Sequence, residues 1–181
     1  MRIIAGTLKG RRLDAPSWPG LRPTSDKLRE TLFNVLAPHI DGVRMIDGYA
    51  GSGAVGIEAL SRGAAHVTFI ERDPRAVRLI EANLQRCQVP NRYAIIRAGF
   101  EQASKRLPGT PFDLVFLDPP YGADTLAAAL DATAGLLAAD GVLVIEHARR
   151  DGPPAQHREF ELTRDLTSGD SALAFYEKRR T

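Results

Sequence analysis

Asp118-Pro119-Pro120-Tyr121 is the stretch of this 181-residue sequence whose side chains and spacing most narrowly limit the chemistry open to them. Two consecutive prolines remove two backbone donors and fix φ, so the segment is a rigid loop whose carbonyls have fewer internal partners. Such a loop suits a planar amine. The Asp118 carboxylate and the Pro119 carbonyl can accept the two N–H bonds of an exocyclic NH2, leaving the nitrogen lone pair free to attack. Tyr121 can stack on the ring that carries the amine, a contact worth about 1–3 kcal/mol. An aromatic amine is a poor nucleophile because its lone pair is delocalised. Hydrogen bonds that favour a tetrahedral nitrogen raise its reactivity, and orientation supplies much of the rest. Asp118 can take the proton after transfer or relay it to water.

The second informative stretch is Asp47-Gly48-Tyr49-Ala50-Gly51-Ser52-Gly53, followed by Ala54-Val55-Gly56-Ile57-Glu58. Its glycines let the backbone turn tightly and approach a ligand. Glu71, twenty residues beyond Gly51, can accept hydrogen bonds from two ribose hydroxyls. Gly51 to Gly56 also fits G-x-G-x-x-G, the dinucleotide pattern. Asp47 favours S-adenosylmethionine instead, because an anion there attracts an ammonium group and would lie too close to a pyrophosphate. The rest of the chain completes the same sheet, which leaves no substrate domain for a dehydrogenase. A dinucleotide site and a ligand-free turn stay open as alternatives at this point.

Both stretches need strand ends to hold them. Strand-like runs fall at Val43–Asp47, His66–Glu71, Tyr93–Arg97, Asp113–Asp118 and Val142–His147, nearly all apolar as in strands buried on both faces. Helical patterns lie between them at Ala54–Ser61, Pro74–Arg86, Glu101–Leu107 and Asp124–Leu137. Such alternation predicts a parallel sheet with right-handed crossovers. Two further strands are expected at His157–Thr163 and Ala172–Lys178, around the turn Ser168-Gly169-Asp170. The expected fold is a doubly wound, Rossmann-like α/β domain with a seven-stranded, mostly parallel sheet. Ligands in this class sit beyond the carboxyl ends of the strands, where strand order reverses.

Residues 1–40 read as an N-terminal extension on a domain of residues 41–181. It comprises short extended pieces with a turn near Lys9-Gly10, a Pro16–Gly20 loop, and a helix capped near Thr24-Ser25-Asp26. The chain carries a net charge of +2, yet its first 30 residues carry +4 and the remaining 151 carry −2. That excess suggests a docking surface for a polyanion. The lone Cys87 excludes an internal disulfide and a cysteine-cluster metal site, and His39, His66, His147 and His157 lack ligand spacing, so no metal is expected. No stretch is apolar enough to span a bilayer, and the opening residues do not fit a signal peptide. A cytoplasmic monomer without membrane contact is the expectation.

Nearly the whole chain resembles the bacterial small-subunit ribosomal RNA guanine-N2 methyltransferase family. The likeness runs through Arg2-Ile3-Ile4-Ala5-Gly6 with Lys9-Gly10-Arg11, and through Arg22-Pro23-Thr24-Ser25-Asp26 to Leu32-Phe33. It continues from Ala50 to Gly63 and at Asp118-Pro119-Pro120-Tyr121. The last motif is shared with adenine and glutamine amide methyltransferases; the Arg-Pro-Thr segment with the basic opening is more specific. The resemblance implies a class I methyltransferase domain that uses S-adenosylmethionine on one guanine of ribosomal RNA, presented by a partly assembled small subunit. By that resemblance Asp47, Gly51, Gly53 and Glu71 match cofactor-loop positions and Asp118, Pro119, Pro120 and Tyr121 the amine-positioning motif; Tyr49 and Phe100 are expected beside the cofactor as well. Arg22 and Thr24 fall in a segment expected to border the site, and Arg2, Lys9, Arg11 and Arg12 are expected to hold RNA phosphates.

This sequence departs from the pattern twice. Gly48-Tyr49 replaces the commoner Leu-Phe, from which looser packing beneath the cofactor is expected. Arg97-Ala98-Gly99-Phe100 lacks an acidic or amide side chain for the adenine, leaving Phe100 or a carbonyl to serve. The competing functions are N6-adenine methylation of nucleic acid, glutamine methylation of protein, and a non-catalytic RNA-binding assembly factor.

Overall fold

The computed structural model describes residues 1–21, 23–107 and 109–179. Helix α1 (Asp26–Leu36) precedes an alternating run of β1 (Arg44–Gly48), α2 (Ala54–Ser61), β2 (His66–Glu71), α3 (Pro74–Arg86), β3 (Tyr93–Arg97) and α4 (Phe100–Ser104). Then follow β4 (Phe112–Leu117), α5 (Ala123–Thr133), β5 (Leu137–Ala148), β6 (Gln156–His157), β7 (Phe160–Ser168) and β8 (Ser171–Lys178). One sheet runs β3-β2-β1-β4-β5-β8-β7-β6. The first five strands are parallel; β8, β7 and β6 pair antiparallel. Strand order reverses between β1 and β4.

The sheet has eight strands, one more than the seven expected. The addition, β6, is two residues long and pairs with Phe160 and Glu161 across a turn in which Arg158 takes a φ of 52°. Two residues carry no alternating pattern, so no sequence signal marks them. Helix α5 also stops earlier than expected. Ala134 turns extended and Gly135 takes a φ of 82°, which frees Leu137 to pair with Phe112 and start β5 five residues early.

The first fourteen residues form a closed loop rather than two regular strands. A single bridge joins Arg2 to Arg12, flanked by bonds from Ile3 N to Arg11 O and from Leu13 N to Met1 O. This loop docks on α2. Glu58 accepts the N–H groups of Ile4 and Ala5 at 2.8 and 3.0 Å. The Ser61 hydroxyl donates to Ala5 O at 2.6 Å and accepts Leu8 N at 2.9 Å. Gly6 lies so close to α2, at a φ of +84°, that a Cβ there would stand 1.9 Å from the Ser61 carbonyl.

Glu58 is also the centre of a buried ion cluster. Its carboxylate lies 2.8 Å from Arg62 Nε and 3.5 Å from the guanidinium of Arg29, which is itself fully buried. Arg29 further donates to Arg2 O and Asp26. Ile3, Leu13, Leu28, Leu32 and Phe33 share one buried cluster with Met45, Ile57 and Val67, so the opening segment and the sheet pack as one core. No described helix is long and apolar enough to cross a membrane.

Glu58→Ala leaves the buried Arg29 guanidinium with Asp26 as its remaining carboxylate and strands two backbone N–H groups, and should cost about 3–5 kcal/mol. Urea unfolding checks this; a loss below about 1 kcal/mol would contradict the role given to the cluster.

Candidate active site

Parallel pairing of β1 with β4 sets Gly48 beside Leu117, and Asp118 N donates to Gly48 O at 3.3 Å. The loops that leave these strands therefore begin side by side. Asp47, Gly51 and Ser52 from one, and Asp118 from the other, line a single narrow cavity of about 30 Å³. Leu21, Pro23 and Thr24 of the opening segment close it. On the other side of Tyr49 lies a wider cavity of about 240 Å³, bordered by Glu71, Phe100, Gly99, Glu101 and Pro120.

The glycine loop is tied to β2 and α3. Glu71 accepts Gly51 N through one carboxylate oxygen and Asp73 N through the other, both at 2.9 Å. Asn83, fully buried on α3, donates to Ser52 O at 3.0 Å and to Asp14 O at 3.1 Å, and accepts Asp14 N at 2.8 Å. Asn83 joins the opening segment to the glycine loop. Sequence reasoning missed it because an amide on a helix carries no signature until its partners are known.

Asp47 is 1% exposed and accepts Gly56 N at 2.9 Å, at the first turn of α2. Burial pushes its carboxyl up to about 8, the nearby Glu71 pushes the same way, and the Gly56 bond opposes them. Among the described residues no basic side chain forms an ion pair with it. A buried acid of this kind lacks a positive partner, and a cationic ligand would supply one.

Tyr49 adopts a φ of 57°, donates its hydroxyl to Glu101 at 2.6 Å, and tilts against Phe100 at 5.7 Å between ring centroids. Packing beneath it is not loose, contrary to expectation. A Cβ on Gly48 would stand 2.4 Å from Leu117 Cδ2 and 3.1 Å from the Phe100 ring, so those side chains fill the space. Glu101, in the first turn of α4, brings a carboxylate to the wider cavity. It supplies an acidic side chain beside Ala98 and Phe100, where the sequence was expected to offer none, and its position three residues after Ala98 was the available signal.

In the loop after β4, Asp118 is half-buried, Pro119 buried and Pro120 exposed. Burial raises the Asp118 carboxyl well above the usual carboxylate range, and the carboxylates of Glu146 and Asp47 raise it further. Glu146, 5% exposed at the end of β5, accepts Thr24 Oγ1 at 3.0 Å and the Ser171 hydroxyl. Ser171 in turn lies 3.0 Å from the Tyr121 hydroxyl. Glu146 thus links Thr24 to the Asp118–Tyr121 loop, a pairing 122 residues apart that spacing could not disclose.

Asp47, Tyr49, Gly51, Glu71, Phe100, Asp118, Pro120 and Thr24 all border the two cavities, while Gly53 caps α2 behind them. Arg22 lies outside the described residues. Arg2, Lys9, Arg11 and Arg12 are exposed, but the structure does not bring them to the cavities. Arg11 donates to Cys87 O at 2.9 Å, at the carboxyl end of α3, and Lys9 sits in the turn beside Ser61. Cys87 lies one helical turn along α3 from Asn83, which bonds Ser52 of the glycine loop, so Arg11 stands near that loop without lining either cavity.

The family model described as "Conserved hypothetical protein 95" matches residues 1–177. "Ribosomal RNA small subunit methyltransferase D" of Escherichia coli is 37% identical over 98% of this chain and 90% of its own. "Putative rRNA methyltransferase YlbH" of Bacillus subtilis is 40% identical over 99% of this chain and all of its own. Among solved structures, "Putative methyltransferase yhhF from Escherichia coli" superposes with a TM-score of 0.87 at 35% identity, covering 100% of this chain and 99% of that one.

The raised Asp47 carboxyl has a consequence for stability. Between about 4 and about 8 the folded chain holds a proton that the unfolded chain releases, so stability falls as pH rises through that window. Asp47→Asn keeps an acceptor for Gly56 and removes the charge. Its Tm should exceed that of the parent by about 5 °C or more at pH 8.5 and by less at pH 5. Parallel Tm–pH curves for the two proteins would contradict the buried, uncompensated acid.

Proposed function

This chain belongs to the ribosomal RNA small subunit methyltransferase D family, and we propose that it methylates the exocyclic N2 of one guanine in small-subunit ribosomal RNA. The methyl donor is S-adenosylmethionine. The observation that carries this reading is the shared cavity lined by the Gly51 loop and Asp118. S-adenosylmethionine, when bound, supplies an electrophilic methyl group on a positively charged sulfur. Glu71 and Glu101 offer acceptors beside the wider cavity, and Tyr49 and Phe100 offer aromatic surface to a purine. Asp47 supplies the negative charge that an ammonium group requires, and its lack of a basic partner supports a cationic ligand over a pyrophosphate.

Asp118 and the Pro119 carbonyl hold the guanine amine by its two N–H bonds, and Tyr121 stacks on the base. Orientation of the nitrogen lone pair toward the donor does most of the work, since reaction inside a held pair avoids the entropy of encounter. A proton leaves the nitrogen on transfer, and Asp118 in its charged form can receive or relay it. Residues 1–40 serve as an extension fused to the catalytic domain of residues 41–181. Arg2, Lys9, Arg11 and Arg12 hold phosphates of an extended substrate outside the cavities that take the cofactor and the target base, which suits an assembling subunit better than a short oligonucleotide. The protein acts as a monomer in the cytoplasm.

The test is to incubate the protein and labelled S-adenosylmethionine with small-subunit particles, protein-free ribosomal RNA, duplex DNA and protein extract, then identify the methylated product. Label should appear in N2-methylguanine; label confined to N6-methyladenine or glutamine rejects the assignment. Asp118→Ala should bind S-adenosylmethionine normally and lose about 10²- to 10⁴-fold in turnover. Because the Asp118 carboxyl is raised, parent turnover should climb with pH as that group ionises, and Asp118→Asn should lack that limb. Equal turnover in the Ala variant, or the same pH limb in the Asn variant, rejects the role.

A further inference from the structure

Among the described residues Tyr121 is the large hydrophobic side chain left exposed, at 52%. It borders an open cleft of about 610 Å³ whose other walls are Ala148, Arg149, Arg150 and Asp170. Three loops meet there and are tied together. Gly122 N donates to Asp151 at 3.1 Å, Arg149 N donates to Asp170 O at 2.8 Å, and the Tyr121 hydroxyl lies 3.0 Å from Ser171 Oγ. The cleft is therefore a fixed extension of the amine-binding loop, and Tyr121 stands three residues from Asp118.

Its charge is available. Arg150 is 85% exposed, and its nearest carboxylate, Asp151, is 3.9 Å away and already holds Gly122 N. Arg149 is exposed beside it, and Asp170 is the one acid on the cleft wall. Two guanidinium groups next to an exposed aromatic ring match the two needs of a single-stranded nucleic acid, phosphate charge and a stacking face. Arg2, Lys9, Arg11 and Arg12 do not line this cleft.

We infer that the cleft between Tyr121, Arg149 and Arg150 seats the RNA backbone immediately flanking the methylated base, with both arginines on phosphates. This rests on the proposed ribosomal RNA substrate and names the surface that grips it beside the reacting amine. The contacts position the strand without reading its sequence.

The test uses the full chain with Arg149→Gln and Arg150→Gln combined. KM for small-subunit particles should rise about 10- to 30-fold, with calorimetric affinity for S-adenosylmethionine within about two-fold of the parent. Loss of two phosphate contacts should flatten the slope of log KM against log salt by about 1.4 to 1.8. Arg149→Lys with Arg150→Lys should restore most of the slope, and Arg11→Gln with Arg12→Gln should raise KM less than the cleft pair does. An unchanged KM and slope in the cleft variant overturn the inference. So does a defect that appears with particles but not in binding to protein-free ribosomal RNA, which would mark a protein partner instead. Either result leaves guanine methylation by the parent intact, whereas absence of N2-methylguanine from the parent reaction defeats the functional reading itself.

Discussion

The register between β1 and β4 is the constraint on which the rest depends. Gly48 opposite Leu117 fixes two loops of unrelated chemistry at one height and one strand spacing apart. Both strands are buried on both faces, so a one-residue slip would exchange the side chains packed above and below the sheet and move Asp47 to the wrong face. Reversal of strand order at the same place leaves the crevice open above them. The opening segment then closes one side, with Thr24 held by Glu146 and the first fourteen residues anchored on α2.

Buried carboxylates divide into two kinds here. Glu58 is neutralised, with Arg29, Arg62 and two backbone N–H groups around it, and its task is to hold the extension on the core. Asp47, Asp118 and Glu146 gather instead around the crevice, where burial raises the proton affinity of all three and repulsion from Glu146 and Asp47 raises that of Asp118 further. Uncompensated burial of that sort lowers stability, and it concentrates where the proposed function places a positive ligand and a hydrogen-bond-donating amine. The family of methyltransferases to which the chain belongs gives that distribution its meaning.

Much of this was legible in the residue order. Apolar runs such as Leu114–Leu117 announce buried strands, and Asp47 to Gly53 announces a turn at a strand tip because its glycines interrupt a strong pattern. What stayed hidden were pairings across long separations: Thr24 with Glu146, Asn83 with Ser52 and Asp14, and Tyr121 with Ser171. Periodicity reports which face a residue occupies, not which polar group waits on the neighbouring loop. The basic opening shows the same limit. Its charge was evident, but only the folded chain shows that Arg2, Lys9, Arg11 and Arg12 do not line the crevice. The arginines nearest the amine-binding loop, Arg149 and Arg150, carry no local excess that composition could flag.

The central claim is that one crevice holds a methyl donor at the β1 tip and a nucleobase amine at the β4 tip. A crystal structure of the protein with S-adenosylhomocysteine and guanosine monophosphate tests it most directly. The nucleoside of the donor product should lie along Glu71 and Phe100, with guanine N2 within hydrogen-bond reach of Asp118 and the Pro119 carbonyl. A guanine seated elsewhere, such as the cavity of about 760 Å³ between Pro38, Asp113 and Gly141 at the opposite end of the sheet, would contradict it.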